Sequence, residues 1–156
     1  MGLKADAQAG SSAGSGDARK VIVLSLGLEV EGRPDIVIDI SNKDAIKKVE
    51  ETVFTIKEGV QYRLKVTFRI QHDVVSGLKY LHAVKRGPLR VDKMEEMVGS
   101  YGPNAEPYVK KFPLEEAPSG MMARGTYVVK SRFIDDDNNV HLEWTWQFAI
   151  KKEWDE

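Results

Sequence analysis

Residues Thr126–Trp154 read TYVVKSRFIDDDNNVHLEWTWQFAIKKEW. Two alternating runs flank a polar turn, Asp135-Asp136-Asp137-Asn138-Asn139. On the returning arm Leu142, Trp144, Trp146, Phe148 and Ile150 point one way, while His141, Glu143, Thr145, Gln147 and Lys151 point the other. Period-two alternation marks a strand with one face buried, so the stretch is a β-hairpin. Each indole covers a large apolar area and carries an N–H that needs a partner. Two in register on one strand make either a heavy core or the wall of an apolar pocket.

Working back from the hairpin, the same pattern recurs. Gln61–Ile70 places Tyr62, Leu64, Val66, Phe68 and Ile70 on one face, with polar residues between them. Lys20–Val30 is a dense apolar run closed by Gly32-Arg33-Pro34. Asp35–Ile40 alternates around Ile36, Ile38 and Ile40. Thr52–Ile56 and Gly77–Val84 are further strands, and Leu89–Val91 is a short edge strand. Asp44–Glu51 reads as a short helical turn or an irregular connection. In Asp92–Val98, the spacing of Met94, Met97 and Val98 predicts a helical turn. Asn104–Ser119 holds three prolines and the adjacent acids Glu115-Glu116, and is predicted to be an ordered surface loop. Some eight or nine short strands with turn signals and no long helix predict an all-β, immunoglobulin-like sandwich of antiparallel strands over residues 20–156. Met1–Arg19 is Gly/Ala/Ser-rich, cannot offset its ordering entropy by burial, and is expected to be a flexible tail.

Composition removes several function classes. The chain has 156 residues, a formal net charge of −1 and no cysteine. Thiol catalysis, disulfides and cysteine-ligated metal are excluded, and no bulk attraction to nucleic acid or an anionic membrane is implied. No apolar run reaches bilayer length. Met1-Gly2 is not followed by Ser or Thr at position six, where Asp6 stands, so myristoylation is not expected.

Catalytic motifs are missing too. There is no Gly-x-Ser-x-Gly, no phosphate loop and no dinucleotide fingerprint. His72, His82 and His141 are scattered, with surface or hydrogen-bonded roles expected rather than metal ligation. Asp135-Asp136-Asp137 lacks the Gly and distal Glu of an EF-hand loop. It reads as a solvated turn, a protein-binding acid cluster or a weak calcium site. Neither catalytic nor metal residues are assigned, no cofactor is expected, and the chain is not expected to be an enzyme. Phe54, Tyr62, Phe68, Trp144, Trp146 and Phe148 fall on inward faces, with Met94, Met97, Met121 and Met122 in connections beside them. This pattern suits a sandwich core with methionine filler, or an adaptable cavity for a lipid-like ligand.

Several blocks resemble the Rho GDP-dissociation inhibitors. They are Phe54–Gly59, Tyr62–Ile70, Val75–Tyr80, Met97–Pro103 and Glu115–Pro118. Ala123-Arg124-Gly125, Ser131–Asp137, Trp144-x-Trp146 and Lys151-Lys152-x-Trp154 complete the set. They stand in family order across about Val21–Glu156. The resemblance implies a sandwich that takes the geranylgeranyl group of a Rho-family GTPase (Rho, Rac or Cdc42 type) between its sheets. It implies extraction of that GTPase from membranes and its maintenance in soluble, GDP-bound form. It further implies cytoplasmic work in Rho signalling, with access to membrane only through the GTPase. A related alternative is a lipid-binding sandwich that shuttles other prenylated or acylated proteins.

By the same resemblance, Phe54, Tyr62, Leu64, Val74, Leu78, Met97, Met122, Trp144 and Trp146 are implied to line the prenyl pocket. Leu28 is a further candidate, beside one residue that the family pattern lacks. Asp92 and Asp137 are implied to meet basic residues near the GTPase switch II region, and Glu115 and Glu116 the polybasic segment before the prenylated cysteine. Family members also carry a long acidic N-terminal arm with a helix-loop-helix that clamps the switch regions. Met1–Arg19 lacks that pattern, so the arm's hold on nucleotide release is not carried over.

Overall fold

Alternation of apolar and polar side chains dictates most of the architecture. The structure is a computed structural model and describes residues 17–155. The elements are β1 (Val21–Glu29), β2 (Ile36–Asp39), α1 (Lys43–Glu50), β3 (Val53–Lys57), β4 (Gln61–Ile70) and β5 (Val75–Arg86). They continue with β6 (Leu89–Tyr101), β7 (Tyr108–Glu116), a 3-10 turn at Met121–Ala123, β8 (Gly125–Ile134) and β9 (Val140–Lys151). A four-stranded sheet, β2-β1-β4-β7, faces a five-stranded one, β3-β9-β8-β5-β6. The expected all-β sandwich is therefore present. Of the expected tail, residues 1–16 lie outside the described residues. Asp17 and Arg19 lie beside the β4–β5 turn, where their carbonyls accept from Gln71 Nε2 at 3.1 and 2.7 Å.

The core is the sum of the inward faces. Leu26, Leu28, Leu64, Val66, Phe68 and Ile70 from one sheet meet Leu78, Tyr80, Val129, Phe133, Trp144 and Trp146 from the other, all at most 3% exposed. A bulge between Val23 and Ser25 explains the unbroken apolar look of β1. The extra residue, Leu24, lets Val21 and Val23, then Leu26 and Leu28, all face inward despite their odd spacing. The helix reading of 44–51 holds: Asn42 Oδ1 accepts the N–H of Ala45 at 2.9 Å as an N-cap, and Val49 is buried.

Three expectations need correction. The strands are not all antiparallel, since β3 pairs with β9 in parallel. The helical turn at Asp92–Val98 does not form; those residues belong to β6, which pairs with β5 from Arg86–Leu89 to Val75–Tyr101. Met94 and Val98 face the interior while Met97 is 53% exposed, so their 3–4 spacing was an accident of an edge strand. Asn104–Ser119 is not a loop throughout, because β7 pairs with β4. Pro113 is tolerated there because β7 is an edge strand and because a bulge sets Phe112 and Pro113 against the single residue Leu64.

Candidate functional site: a cleft at one end of the sandwich

The sandwich is closed at one end and open at the other. At the closed end Phe68, Tyr101 and Tyr108 cluster with ring centroids 4.7–5.6 Å apart. Asp136 also packs onto the backbone of Gly77, where a Cβ would sit 2.1 Å from its carboxylate. At the opposite end a cleft of about 350 Å³ enters between the sheets.

The five-stranded sheet gives the cleft an aromatic wall. Tyr127 of β8 stacks on Phe148 of β9 at 5.1 Å, Phe148 leans on Trp146 at 5.8 Å, and Phe54 meets Trp146 edge-on at 6.4 Å. Ile56, Val84, Val91 and Val129 fill between them, and Leu28, Tyr62 and Leu64 form the facing wall. Inward alternation along each strand suffices to put these side chains there.

Polar groups ring the mouth. The bulge at Phe112–Pro113 reverses the parity of β7, so that Glu115 turns half-buried toward the cleft beside Tyr62. Glu116 and Asp92 join it at the rim. Burial, reinforced by Asp92 and Glu96, raises the Glu115 carboxyl above its ordinary range. Burial likewise pushes the Tyr62 phenol up to about 12, helped by Glu115 and Asp92. Across the mouth Arg86 donates to the carbonyls of Met122 (2.5 Å) and Arg124 (2.6 Å) and to Tyr127 Oη (3.2 Å). Its guanidinium occupies the space beside Gly125, where a Cβ would lie 2.7 Å from Nη2. Gly125 has φ +143°, so a glycine is required on both counts.

Behind the aromatic wall runs a polar chain. Trp146 Nε1 donates to Ser131 Oγ at 3.0 Å; Ser131 Oγ and Tyr80 Oη are 2.8 Å apart; Tyr80 Oη is 2.8 Å from His82 Nδ1. Burial drops the His82 pKa to about 4, against a smaller upward pull from Asp92, so the imidazole is neutral at pH 7. With the proton on Nε2, His82 accepts at Nδ1 and the chain runs Trp146 to Ser131, Ser131 to Tyr80, Tyr80 to His82; with it on Nδ1, His82 donates to Tyr80 and Tyr80 to Ser131. Trp144 differs from its neighbour. It stacks on Phe133 at 5.9 Å, and its buried N–H finds no hydrogen-bond partner among the described residues.

The structure gathers some of the sequence-implied site and scatters the rest. Tyr62, Leu64 and Trp146 line the cleft, as does Leu28, with Phe54 packed behind Trp146. Asp92, Glu115 and Glu116 stand together at its mouth. Leu78 and Trp144 lie deeper in the core, further along the sandwich axis. Met122 is 88% exposed on the turn strapped by Arg86. Met97 faces outward on β6, and Val74 sits in the β4–β5 turn at the closed end. Asp137 is in the β8–β9 turn, also at the closed end, away from Asp92. Within that turn Asp135 is buried and accepts from the N–H groups of Asp137 and Asn139 and from His141 Nε2. Its oxygens are thus used in shaping the turn. Sequence reasoning did not assign His82, Arg86, Tyr127 or Phe148 to the site. The signal was the inward parity of Tyr80, His82, Val84 and Arg86 along β5.

Among known proteins, the family described as RHO protein GDP dissociation inhibitor matches residues 4–153. The chain is similar to the Rho GDP-dissociation inhibitor of Schizosaccharomyces pombe, with 42% identity over 140 residues, covering 90% of this chain and 68% of that protein. It is 44% identical over 135 residues to Rho GDP-dissociation inhibitor 1 of Homo sapiens, covering 86% of this chain and 65% of that protein. Rho GDP-dissociation inhibitor 3 of Bos taurus is 48% identical over 136 residues, covering 86% and 60%. The chain thus spans about two thirds of the length of these curated relatives. A Bacteroides uniformis beta-glucuronidase structure shares 9% identity at a TM-score of 0.49, covering 81% of this chain and 13% of that one.

Proposed function

The chain belongs to the Rho GDP-dissociation inhibitor family, and we propose that it shelters the geranylgeranyl tail of a Rho-family GTPase in the cleft between its sheets, drawing that GTPase off membranes and holding it soluble and GDP-bound in the cytoplasm. The observation that carries this reading is the pairing of an apolar, aromatic-walled cleft with a carboxylate rim. A lipid tail preceded by a basic peptide segment has the complementary order of chemistries. The tail enters along Trp146, Phe148 and Tyr127, while Glu115, Glu116 and Asp92 face the peptide that follows it out. Rim charges of this kind govern encounter rate and register more than final affinity. A single lipid chain holds a protein to a bilayer only marginally, at about 0.8 kcal/mol per buried methylene, so an apolar cleft of similar depth competes for it.

The cleft must also deepen. Its 350 Å³ lies at the low end of the roughly 300–1,000 Å³ of small-molecule clefts, small for the long chain of a geranylgeranyl group. We place the extra depth along Trp144 and Leu78, reached when the two sheets part. The Trp144 N–H, with no hydrogen-bond partner among the described residues, lies on that path. Liposome extraction tests the whole reading: this chain should remove prenylated Rho GTPase from vesicles and bind the unprenylated form far more weakly. Equal affinity for the two forms would refute it. The modest closed volume also favours a second reading, a carrier of shorter lipid chains. Titrating farnesyl, geranylgeranyl and myristoyl peptides against tryptophan fluorescence separates the two.

A further inference from the structure

The outer face of the five-stranded sheet has no role in the cleft, yet it is built asymmetrically. Lys93 of β6 and Lys130 of β8 both stand opposite Ala83 of β5. They are therefore about 9.5 Å apart, two strand spacings, on either side of the smallest side chain of the row. The short methyl of Ala83 leaves a depression of about 330 Å³, to which Arg90 and Arg132 also contribute. Two carboxylates share it, Glu95 and Glu143. Glu95 is drawn 3.9 Å from Lys79, while Arg90, Lys93, Lys130 and Arg132 make no ion pair among the described residues. In a chain of net charge −1, this is a local excess of cations on one face.

That face runs into an apolar tip at the cleft mouth. Arg86 pairs with Leu89 across a two-residue turn, Gly87-Pro88, and leaves Leu89 67% and Val91 46% exposed. A register shift between Val84 and Lys85 then splits the strand between two surfaces. Val91 and Asp92 line the cleft, whereas Arg90 and Lys93 line the cationic depression. The carboxylates of β7 sit across the mouth from this hairpin, whose own side carries exposed apolar residues and cations together with the carboxylate of Asp92.

We propose that the β5–β6 hairpin tip and the Arg90–Lys93–Lys130–Arg132 face dock directly on an anionic lipid bilayer, with Leu89 and Val91 entering the headgroup region and the cleft mouth opening at the lipid surface. Charge complementarity selects the bilayer over a neutral surface, because Lys and Arg near anionic lipid each strengthen binding by about fivefold. Continuity of this face with the mouth supplies the purpose, which rests on the lipid-carrying reading of the cleft. The β7 side of the mouth is then left for the GTPase, and the chain reaches the membrane by its own surface rather than only through the GTPase, as the family resemblance had implied.

Co-sedimentation of the full chain, without GTPase, with vesicles of phosphatidylcholine alone or containing phosphatidylserine tests the proposal. The chain should pellet with the anionic vesicles and not with the neutral ones. Lys93→Glu with Lys130→Glu should weaken binding more than tenfold, and Leu89→Asp about fivefold. Both variants change exposed residues outside the cleft, so binding of a geranylgeranyl peptide in solution should persist and report that they are folded. No pelleting with anionic vesicles, equal pelleting with neutral ones, or pelleting that survives the charge reversal would overturn the proposal. Vesicle binding by a chain that ignores the geranylgeranyl peptide would support the docking face and sink the cleft's assigned cargo instead.

Discussion

His82 makes the stability of this fold depend on pH in a defined window. The imidazole sits inside the sandwich, its Nδ1 2.8 Å from Tyr80 Oη, and has its pKa lowered from 6.5 to about 4, chiefly by burial. Above pH 6.5 it is neutral in both the folded and unfolded chain and has no effect. As pH falls below 6.5 the unfolded chain binds a proton that the folded chain refuses until about pH 4. Stability is therefore complete above the unfolded value and is lost through this interval, at about 1.4 kcal/mol per pH unit. Between about pH 7.5 and pH 5 the loss is about 2 kcal/mol, a sizeable share of a typical domain's 5–15 kcal/mol. The carboxylates held below their ordinary range, Asp17, Glu29, Glu58 and Asp135, withdraw their stabilisation only at lower pH. Glu115 is shifted the other way, and protonating it adds stability on acidification. Urea unfolding at the two pH values, for wild type and His82→Gln, isolates the effect, since the glutamine keeps an acceptor for Tyr80 without titrating. The wild type should lose about 2 kcal/mol more than the variant. Parallel losses in both would refute the burial of a neutral imidazole.

The two indoles should part company when each is shortened to phenylalanine. Trp146→Phe breaks the bond to Ser131, whereas Trp144→Phe removes an N–H that has no partner among the described residues. In denaturant unfolding the first should cost about 1 kcal/mol more than the second. Glu115→Ala should slow association with prenylated GTPase about fivefold at low salt, with the difference vanishing in high salt, as stopped-flow fluorescence would record. Gly125→Ala should destabilise the domain by about 2 kcal/mol, because it strains a φ of +143° and displaces the Arg86 guanidinium. A thermal melt unchanged from wild type would show that the strap does not matter.

The legible parts of the fold were those where period-two contrast is strong. β4, β8 and β9 each bury most of one face, with Tyr62, Leu142 and Phe148 partly exposed, so their apolar and polar residues separate cleanly. β6 is an edge strand whose first five residues are all exposed, leaving no contrast to read, and its methionines fell by chance at helical spacing. β7 hid behind Pro113, which only an edge position and a bulge make compatible with a strand. The parallel β3–β9 pair joins segments about ninety residues apart, and no local pattern announces such a pairing. For the site, alternation placed Trp146 and Tyr62 inward but not at one end of the sandwich. Family resemblance paired Asp92 with Asp137 and Glu115 with Glu116; the fold instead gathers Asp92, Glu115 and Glu116 at one mouth, and it takes the β7 bulge to explain why Glu115 faces the cleft.

Why one end of the sandwich stays open follows from what each end offers. The closed end has three aromatic rings, Phe68, Tyr101 and Tyr108, and the two tyrosine hydroxyls reach backbone carbonyls, Tyr101 to Val98 and Tyr108 to Gly102. Both of those hydroxyls are satisfied, so the sheets can seal there. At the other end the inward positions of β5 are His82, Val84 and Arg86, and the β7 bulge turns Glu115 toward them. Sealing the sheets there would bury a carboxylate and a guanidinium away from water, and unpaired buried charge is far costlier than an open apolar surface. The polar rim thus props the cleft open and leaves an apolar deficit at its walls, where Phe148 and Tyr62 stay partly exposed although Trp146 and Tyr127 are covered. A ligand that covers Trp146, Phe148 and Tyr127 while leaving the rim charges at its edge removes that deficit, and its binding free energy should appear as added stability of the whole domain. A geranylgeranyl peptide at a hundred times its Kd should accordingly raise the unfolding free energy by about 2.7 kcal/mol. A lipid that binds outside the cleft without favouring the folded state would leave the unfolding midpoint where it was.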